Sequence, residues 1–310
     1  MTKRPHTVPR FYLDGFVDDV RATLETPFIW LGSIVDSTVS RRAPKNLSVV
    51  NSYYDGRGGL KAEDATLEKH LSGIESDAAT AIRDLVQLAP QANLDMPSEI
   101  GRFLAWQAAR TPGWFDLVEA WANDMKFWDR ADMVEPPPPG LENANFDKRP
   151  MKLVNPKTGA EVLVPVQHVE AHIENGWKWL FSKQDRLELM HLQAWYFQVR
   201  HFPRLKWTRY TAPIDSVFIT SDRAVSWLAD GYADTPPAAL RDATAEVYAP
   251  LTKNVALIGR NGVTPLGLTA REINMKVAFC ASKWIAGPTK EIVLQALDDR
   301  MQKRERTVFH

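Results

Sequence analysis

The strongest constraint on the fold is one run of apolar residues. Leu67, Leu71, Ile74, Ala78, Ile82 and Leu85 recur at intervals of three and four, beginning after Glu63 and stopping before Pro90. That period belongs to an amphipathic helix. An apolar stripe along such a helix must be covered by another layer, so the chain needs partners for it elsewhere in the sequence. Further helices are expected at 98–110, opening at Pro97-Ser98-Glu99 and stopped by Thr111-Pro112-Gly113, and at 114–130. The proline run at 135–140 cannot continue a helix and reads as a linker. Helices are also expected at 167–181 and 183–200. Two more close the chain at 269–285 and 289–302, with Thr269 and Thr289 as N-caps.

Between these lie short β-branched or aromatic pieces separated by turn residues, at 28–34, 205–210, 216–220 and 255–259. They are candidates for one small sheet. Asn155-Pro156-Lys157-Thr158-Gly159 forms the turn of a hairpin pairing 151–154 with 161–164. The expectation is a single, predominantly helical α+β domain carrying a hairpin insertion at about 150–165. Most of the eleven tryptophans fall between Trp106 and Trp207 at helical spacings, which suits a core.

Charge and cysteine usage narrow the function. Lys+Arg and Asp+Glu both total 38, so the formal net charge is zero and any affinity for phosphate must come from a local patch. A single cysteine, Cys280, excludes an internal disulfide and paired-thiolate zinc patterns, and fits a reducing cytoplasm. No stretch approaches the roughly 18 apolar residues of a membrane span, so no membrane partner is expected. Gly56-Arg57-Gly58-Gly59 lacks the lysine and hydroxyl residue of a phosphate loop, and Ser221 has no nucleophile-elbow pattern around it. No cofactor is expected. His168 and His172 sit at i and i+4, a spacing that can bind a divalent metal, but no third ligand is fixed and the metal remains unsupported. The basic residues at Arg41, Arg42 and Lys45 and from Arg300 to Arg306 read as solvated faces.

The densest polar group is His6, Pro9, Arg10, Phe11, Tyr12 and Leu13. Pro9 fixes its own φ and disfavours helix at Val8, so His6 and Arg10 are presented from a constrained, extended turn. A bland reading competes: Phe11, Leu13 and Phe16 plug the segment into the body while His6 and Arg10 face water. Glu68 and Glu75 lie two helical turns apart, beside the apolar stripe of their helix. Gln107 and Arg110 share a helix face near its end. Asp222 follows the apolar strand piece that ends at Thr220.

This ordered set resembles the bacterial domain-of-unknown-function family 4238. The opening motif is matched by His6, Pro9, Arg10, Tyr12 and Leu13. A short strand resembles 28–35, a paired-tyrosine turn resembles Tyr53-Tyr54, and a helix resembles Leu67-Glu68 followed by Ile74-Glu75. A Gln-x-x-Arg-x-Pro pattern matches Gln107, Arg110 and Pro112, and the later stretches resemble Thr220-Ser221-Asp222, Pro250-Leu251 and Asn274. Members of the family usually carry proline two residues after the aspartate, where this chain has Ala224. The resemblance implies one shared cleft and names no activity.

Two functional expectations follow. In the first, the protein is an enzyme, hydrolase or nuclease-like, acting on an anionic, phosphate-bearing substrate such as a nucleotide or nucleic acid; an effector in bacterial conflict or phage defence is one concrete version. His6, Asp222 and Glu68 would be catalytic. Arg10, Tyr12, Gln107, Arg110, Ser221 and Asn274 would hold the substrate. In the second, the protein is a non-catalytic binding or regulatory partner whose polar motifs are structural, and Arg10→Ala lowers stability markedly by stranding a buried carboxylate.

Overall fold

The computed structural model describes residues 7–23, 26–48, 62–88, 91–111, 120, 123, 150–180, 183–231, 240, 242–262 and 267–308. His6, the tyrosine pair at 53–54, the glycine turn at 56–59, most of the expected helix at 114–130 and the proline run at 135–140 lie outside the described residues. In chain order the elements are α1 (Arg10–Asp14), α2 (Asp19–Ala22), β1 (Ile29–Ser33), β2 (Val39–Arg42), α3 (Ala62–Gln87), β3 (Gln91–Leu94), α4 (Ser98–Ala109), β4 (Met151–Val154), β5 (Glu161–Val164), α5 (Val169–Glu174), β6 (Lys178–Trp179), α6 (Lys183–Tyr196), β7 (Lys206–Thr211), β8 (Thr220–Ser221), β9 (Ser226–Leu228), β10 (Glu246–Pro250), β11 (Val255–Arg260), α7 (Ala270–Cys280), β12 (Trp284–Gly287) and α8 (Lys290–Val308). The class is α+β.

The strands form three antiparallel sheets, ordered β2-β1-β12-β8, β3-β7-β11-β10-β9 and β5-β4-β6. The five-stranded sheet is covered on both faces, which explains why β11 is buried at every position. Alternate side chains of a strand point to opposite faces. Val247, Ala249 and Leu257 accordingly join one apolar core with α1, α3, α4 and α6, while Tyr248, Ala256 and Ile258 join a second core with α7 and α8. The stripe on α3 behaves as its spacing requires: Leu71, Ile74, Ala78, Ile82 and Leu85 are all buried. Its C-terminal end is tied to the sheet by Arg209 of β7, whose guanidinium donates to the carbonyls of Leu85 and Val86 at 3.1 and 3.0 Å. Gly32 lets α8 lie close to β1, since a Cβ there would meet Val293 Cγ1 at 2.7 Å.

Three sequence expectations need correction. The pieces 28–34, 205–210, 216–220 and 255–259 do not form one sheet: β1 and β8 both pair with β12, whereas β7 and β11 pair in the five-stranded sheet. The helix expected over 167–181 is only the six residues of α5, because Gly176 turns the chain at φ +81° and Lys178–Trp179 returns as a third strand beside the hairpin. The helix expected to reach 285 stops at Cys280. Thr269 does cap it, in a reciprocal capping box with Glu272. Beyond Ala281 the chain is drawn out to pair with β1 as β12.

Candidate functional site

The N-terminal segment is a plug. Pro9 is extended, its ring holding φ at −64°, and Arg10 opens the short helix α1 rather than an extended turn. Val8, Tyr12, Leu13 and Phe16 are buried, with the Tyr12 ring 5.2 Å from that of Phe16 and 6.0 Å from that of Phe103 on α4. The polar end of Tyr12 crosses to the sheets, where its hydroxyl donates to the Pro250 carbonyl at 2.6 Å and lies 3.0 Å from Thr220 Oγ1. Burial raises the Tyr12 phenol far above its ordinary range, against the smaller opposing pull of Thr220, so it remains a neutral donor. Lys253 completes the attachment: its backbone N–H donates to Gly15 O at 2.9 Å, and its ammonium group reaches Val17 O and Asp19. On the other side of the plug, Ser48 donates to Val8 O at 2.6 Å and accepts from Thr7 N through its own carbonyl.

Asp222 lies two residues beyond Thr220 and forms a second node. Its two carboxylate oxygens accept from the backbone N–H groups of Ser282 and Lys283, each at 3.0 Å, while its own N–H donates to Trp284 O at 3.1 Å. These bonds fix the connection between α7 and β12, where the expected helix is interrupted. The side chain is buried, with the residue only 4% exposed. Burial pushes its carboxyl above the usual carboxylate range, opposed by the same amides and by the Arg223 charge. Ser221 is turned inward too, its hydroxyl donating to Arg223 O at 2.8 Å and accepting from Arg223 N–H. Asn274 on α7 serves as a substitute strand neighbour for 217–219: its Oδ1 accepts from Ile219 N–H at 3.0 Å and its Nδ2 donates to Val217 O at 2.8 Å. That pairing explains why the apolar piece at 216–220 is strand only at its end, in β8.

A third node joins α3 to α4. Arg110, 1% exposed, donates to Glu75 Oε1 at 2.8 Å. The neighbouring Gln107 amide, oriented with its oxygen toward the guanidinium, accepts from Arg110 Nε at 2.9 Å. The i, i+3 relation in the sequence thus becomes a direct contact, and the carboxylate opposite Arg110 is Glu75. Glu68 lies two turns earlier on the same helix, its side chain outside the described residues.

Tyr12 is bonded directly beside the Thr-Ser-Asp stretch, so the leading segment and that loop do come together. Arg110 is bonded to Glu75 and Gln107, and Asp222 to the backbone of Ser282 and Lys283. The Arg10 side chain is 60% exposed and 3.5 Å from Asp14 in an i, i+4 pair. His172 Nδ1 lies 2.9 Å from His168 O, a local helix contact, and no group of three His, Cys, Asp or Glu side chains suited to a metal occurs among the described residues. The basic C-terminal run is not wholly a solvated face. Arg300 is buried and donates to the carbonyls of Ala278, Phe279 and Ala281, closing the end of α7.

Sequence reasoning missed Lys253, and it missed a charged cluster of Glu246, Arg260 and Lys276 around Tyr248. Glu246 and Tyr248 at i and i+2 on a strand share a face, which is a usable signal once β10 is known to be a strand.

No helix among the described residues is long and apolar enough to cross a membrane. Comparison with curated proteins and with solved structures gives no match. One family does match, with its sequence model covering residues 4–291 and thereby the plug, all three nodes and the first core. The chain belongs to the family described as protein of unknown function (DUF4238).

Proposed function

We propose that this protein is a non-catalytic binding or regulatory partner, and that its motif residues Tyr12, Asp222 and Asn274 are structural fasteners. The observation that carries the reading is Asp222: both of its oxygens accept from the backbone at one chain connection, and the group is buried. A proton-transfer residue must reach a substrate, and this one is committed to holding α7 and β12 together. Tyr12 and Asn274 support the same reading, because each bonds backbone groups far away in sequence. The buried lone cysteine fits a reducing, cytoplasmic setting. The test measures equilibrium stability and partner or ligand capture together for Asp222→Asn. Binding that declines in step with stability supports the proposal; a variant of unchanged stability that has lost all function refutes it.

A second reading, an enzyme acting on a phosphate-bearing substrate such as a nucleotide or nucleic acid, draws on Glu75. This carboxylate retains 28% side-chain exposure while held by a buried arginine, an arrangement able to present a charged group to a ligand. Incubation of the full chain with phosphate esters and labelled oligonucleotides tests it. Turnover abolished by Glu75→Gln in a folded variant supports the enzyme, and absence of turnover removes it.

A further inference from the structure

The zero net charge leaves phosphate recognition to a local patch, and one such patch lies where β10 and β11 meet α7 and α8. Glu246 and Arg260 are directly opposite each other in the antiparallel ladder. Arg260 Nη2 lies 2.6 Å from Glu246 Oε1 and donates to the Tyr248 hydroxyl at 3.1 Å. That hydroxyl donates onward to Glu246 Oε2 at 2.6 Å, and Lys276 from α7 donates to the same oxygen. A single carboxylate therefore serves two cations. Lys276 also lies 5.1 Å from the Tyr248 ring centroid, and Lys303 from α8 lies 4.6 Å from that of Phe279, one helical turn beyond Lys276. Burial and the Lys276 charge hold the Lys303 ammonium below its ordinary range, opposed by Cys280 and Glu246, which places Lys303 within electrostatic reach of the same lysine and carboxylate.

The second observation is an orphan donor. Arg260 is 8% exposed, yet its buried Nε has no hydrogen-bond partner among the described residues. A buried N–H without an acceptor is costly, and one beside an excess of positive charge calls for an anionic oxygen. The cluster is not sealed, because Glu246 and Lys276 keep 20% and 19% of their side chains exposed. We propose that this patch binds a phosphate group, with Arg260, Lys276 and Lys303 as its cationic ligands and Tyr248 and Glu246 fixing the arginine.

The inference deepens the binding reading by naming the chemistry of the ligand, and the two can fail separately. Turnover of a phosphate ester would end the non-catalytic reading and leave this site standing. The experiment titrates inorganic phosphate, and in a parallel arm a nucleoside monophosphate, into the full chain by calorimetry at constant ionic strength. Saturable binding is expected, weakened about tenfold or more in both Lys303→Met and Lys276→Met. Tighter binding of the nucleoside monophosphate would identify a nucleotide as the source of the phosphate group, and equal binding would identify the phosphate alone. Lys303→Met keeps the aliphatic stem and leaves the Glu246 bonds in place, so it stays informative if Lys276→Met does not fold. Absence of saturable binding in either arm, or binding unchanged in Lys303→Met, overturns the proposal.

Discussion

Replacing Tyr12 by phenylalanine removes one oxygen atom and nothing else from the plug. The ring keeps its contacts with Phe16 and Phe103, so the transfer of apolar surface is unchanged. What disappears is the donor to Pro250 O at 2.6 Å and the partner of Thr220 Oγ1 at 3.0 Å, both in the interior. Leaving a buried carbonyl without its donor costs about 1–3 kcal/mol, and the Thr220 bond adds about 1 kcal/mol, for a total of about 2–4 kcal/mol. A chain of 310 residues has an unfolding entropy of about 0.65 kcal/mol/K at the usual specific value, so Tm should fall by about 3–6 °C. Urea unfolding and calorimetry on the purified variant measure both quantities. A drop in Tm below about 1 °C would refute the argument, because it would mean that the hydroxyl bonds equally well to water.

At the Thr-Ser-Asp node, Asp222→Asn leaves one of the two backbone N–H groups without an acceptor and should cost about 1–3 kcal/mol, with Asp222→Ala costing more because both are left; equal stabilities in chemical denaturation would contradict this. Arg10→Ala should change stability by less than about 0.5 kcal/mol, since its partner Asp14 is exposed, and a marked loss in the same assay would restore the expectation of a buried carboxylate partner. Glu246 is raised by burial but more strongly lowered by its bonds to Lys276 and Tyr248 and by the Arg260 charge, so its carboxyl lies below the usual range. Its contribution is complete above the ordinary carboxylate range and is lost as pH falls through its own lowered value; Glu246→Gln should flatten that part of the stability–pH curve, and an unchanged acid slope would count against the assignment.

The helices with an internal signal were legible from sequence, and so was the hairpin. The period of α3 and the turn at Asn155–Gly159 depend on neighbours in the chain, and the structure places both as their residues require. Elements decided by distant partners were not. The α7 end is made by Asp222 and by Arg300, some 60 and 20 residues away, so the apolar run through Ile285 reads as continuing helix when it becomes β12. The strand β8 is short because Asn274 occupies the place of a ladder partner. The motif residues were legible as a set, yet their chemistry was not, since a histidine, arginine and aspartate pattern has the same appearance whether it faces a substrate or a backbone amide. The Arg10 side chain shows the difference: the motif position is matched, but the guanidinium points to water. The Glu246 cluster escaped notice because its members are brought together only by the pairing of β10 with β11 and the packing of α7 and α8.

The central claim is that the opening motif is fastened to the Thr-Ser-Asp strand end and to Pro250, and that this fastening is a cooperative part of the fold. Amide hydrogen exchange followed by mass spectrometry, comparing the parent chain with Tyr12→Phe, tests it most directly. Protection is expected to fall together in peptides covering 8–17, 218–222 and 250–255, with α5 and the hairpin at 151–164 unaffected. Loss confined to 8–17, with the other two segments as protected as before, would contradict it.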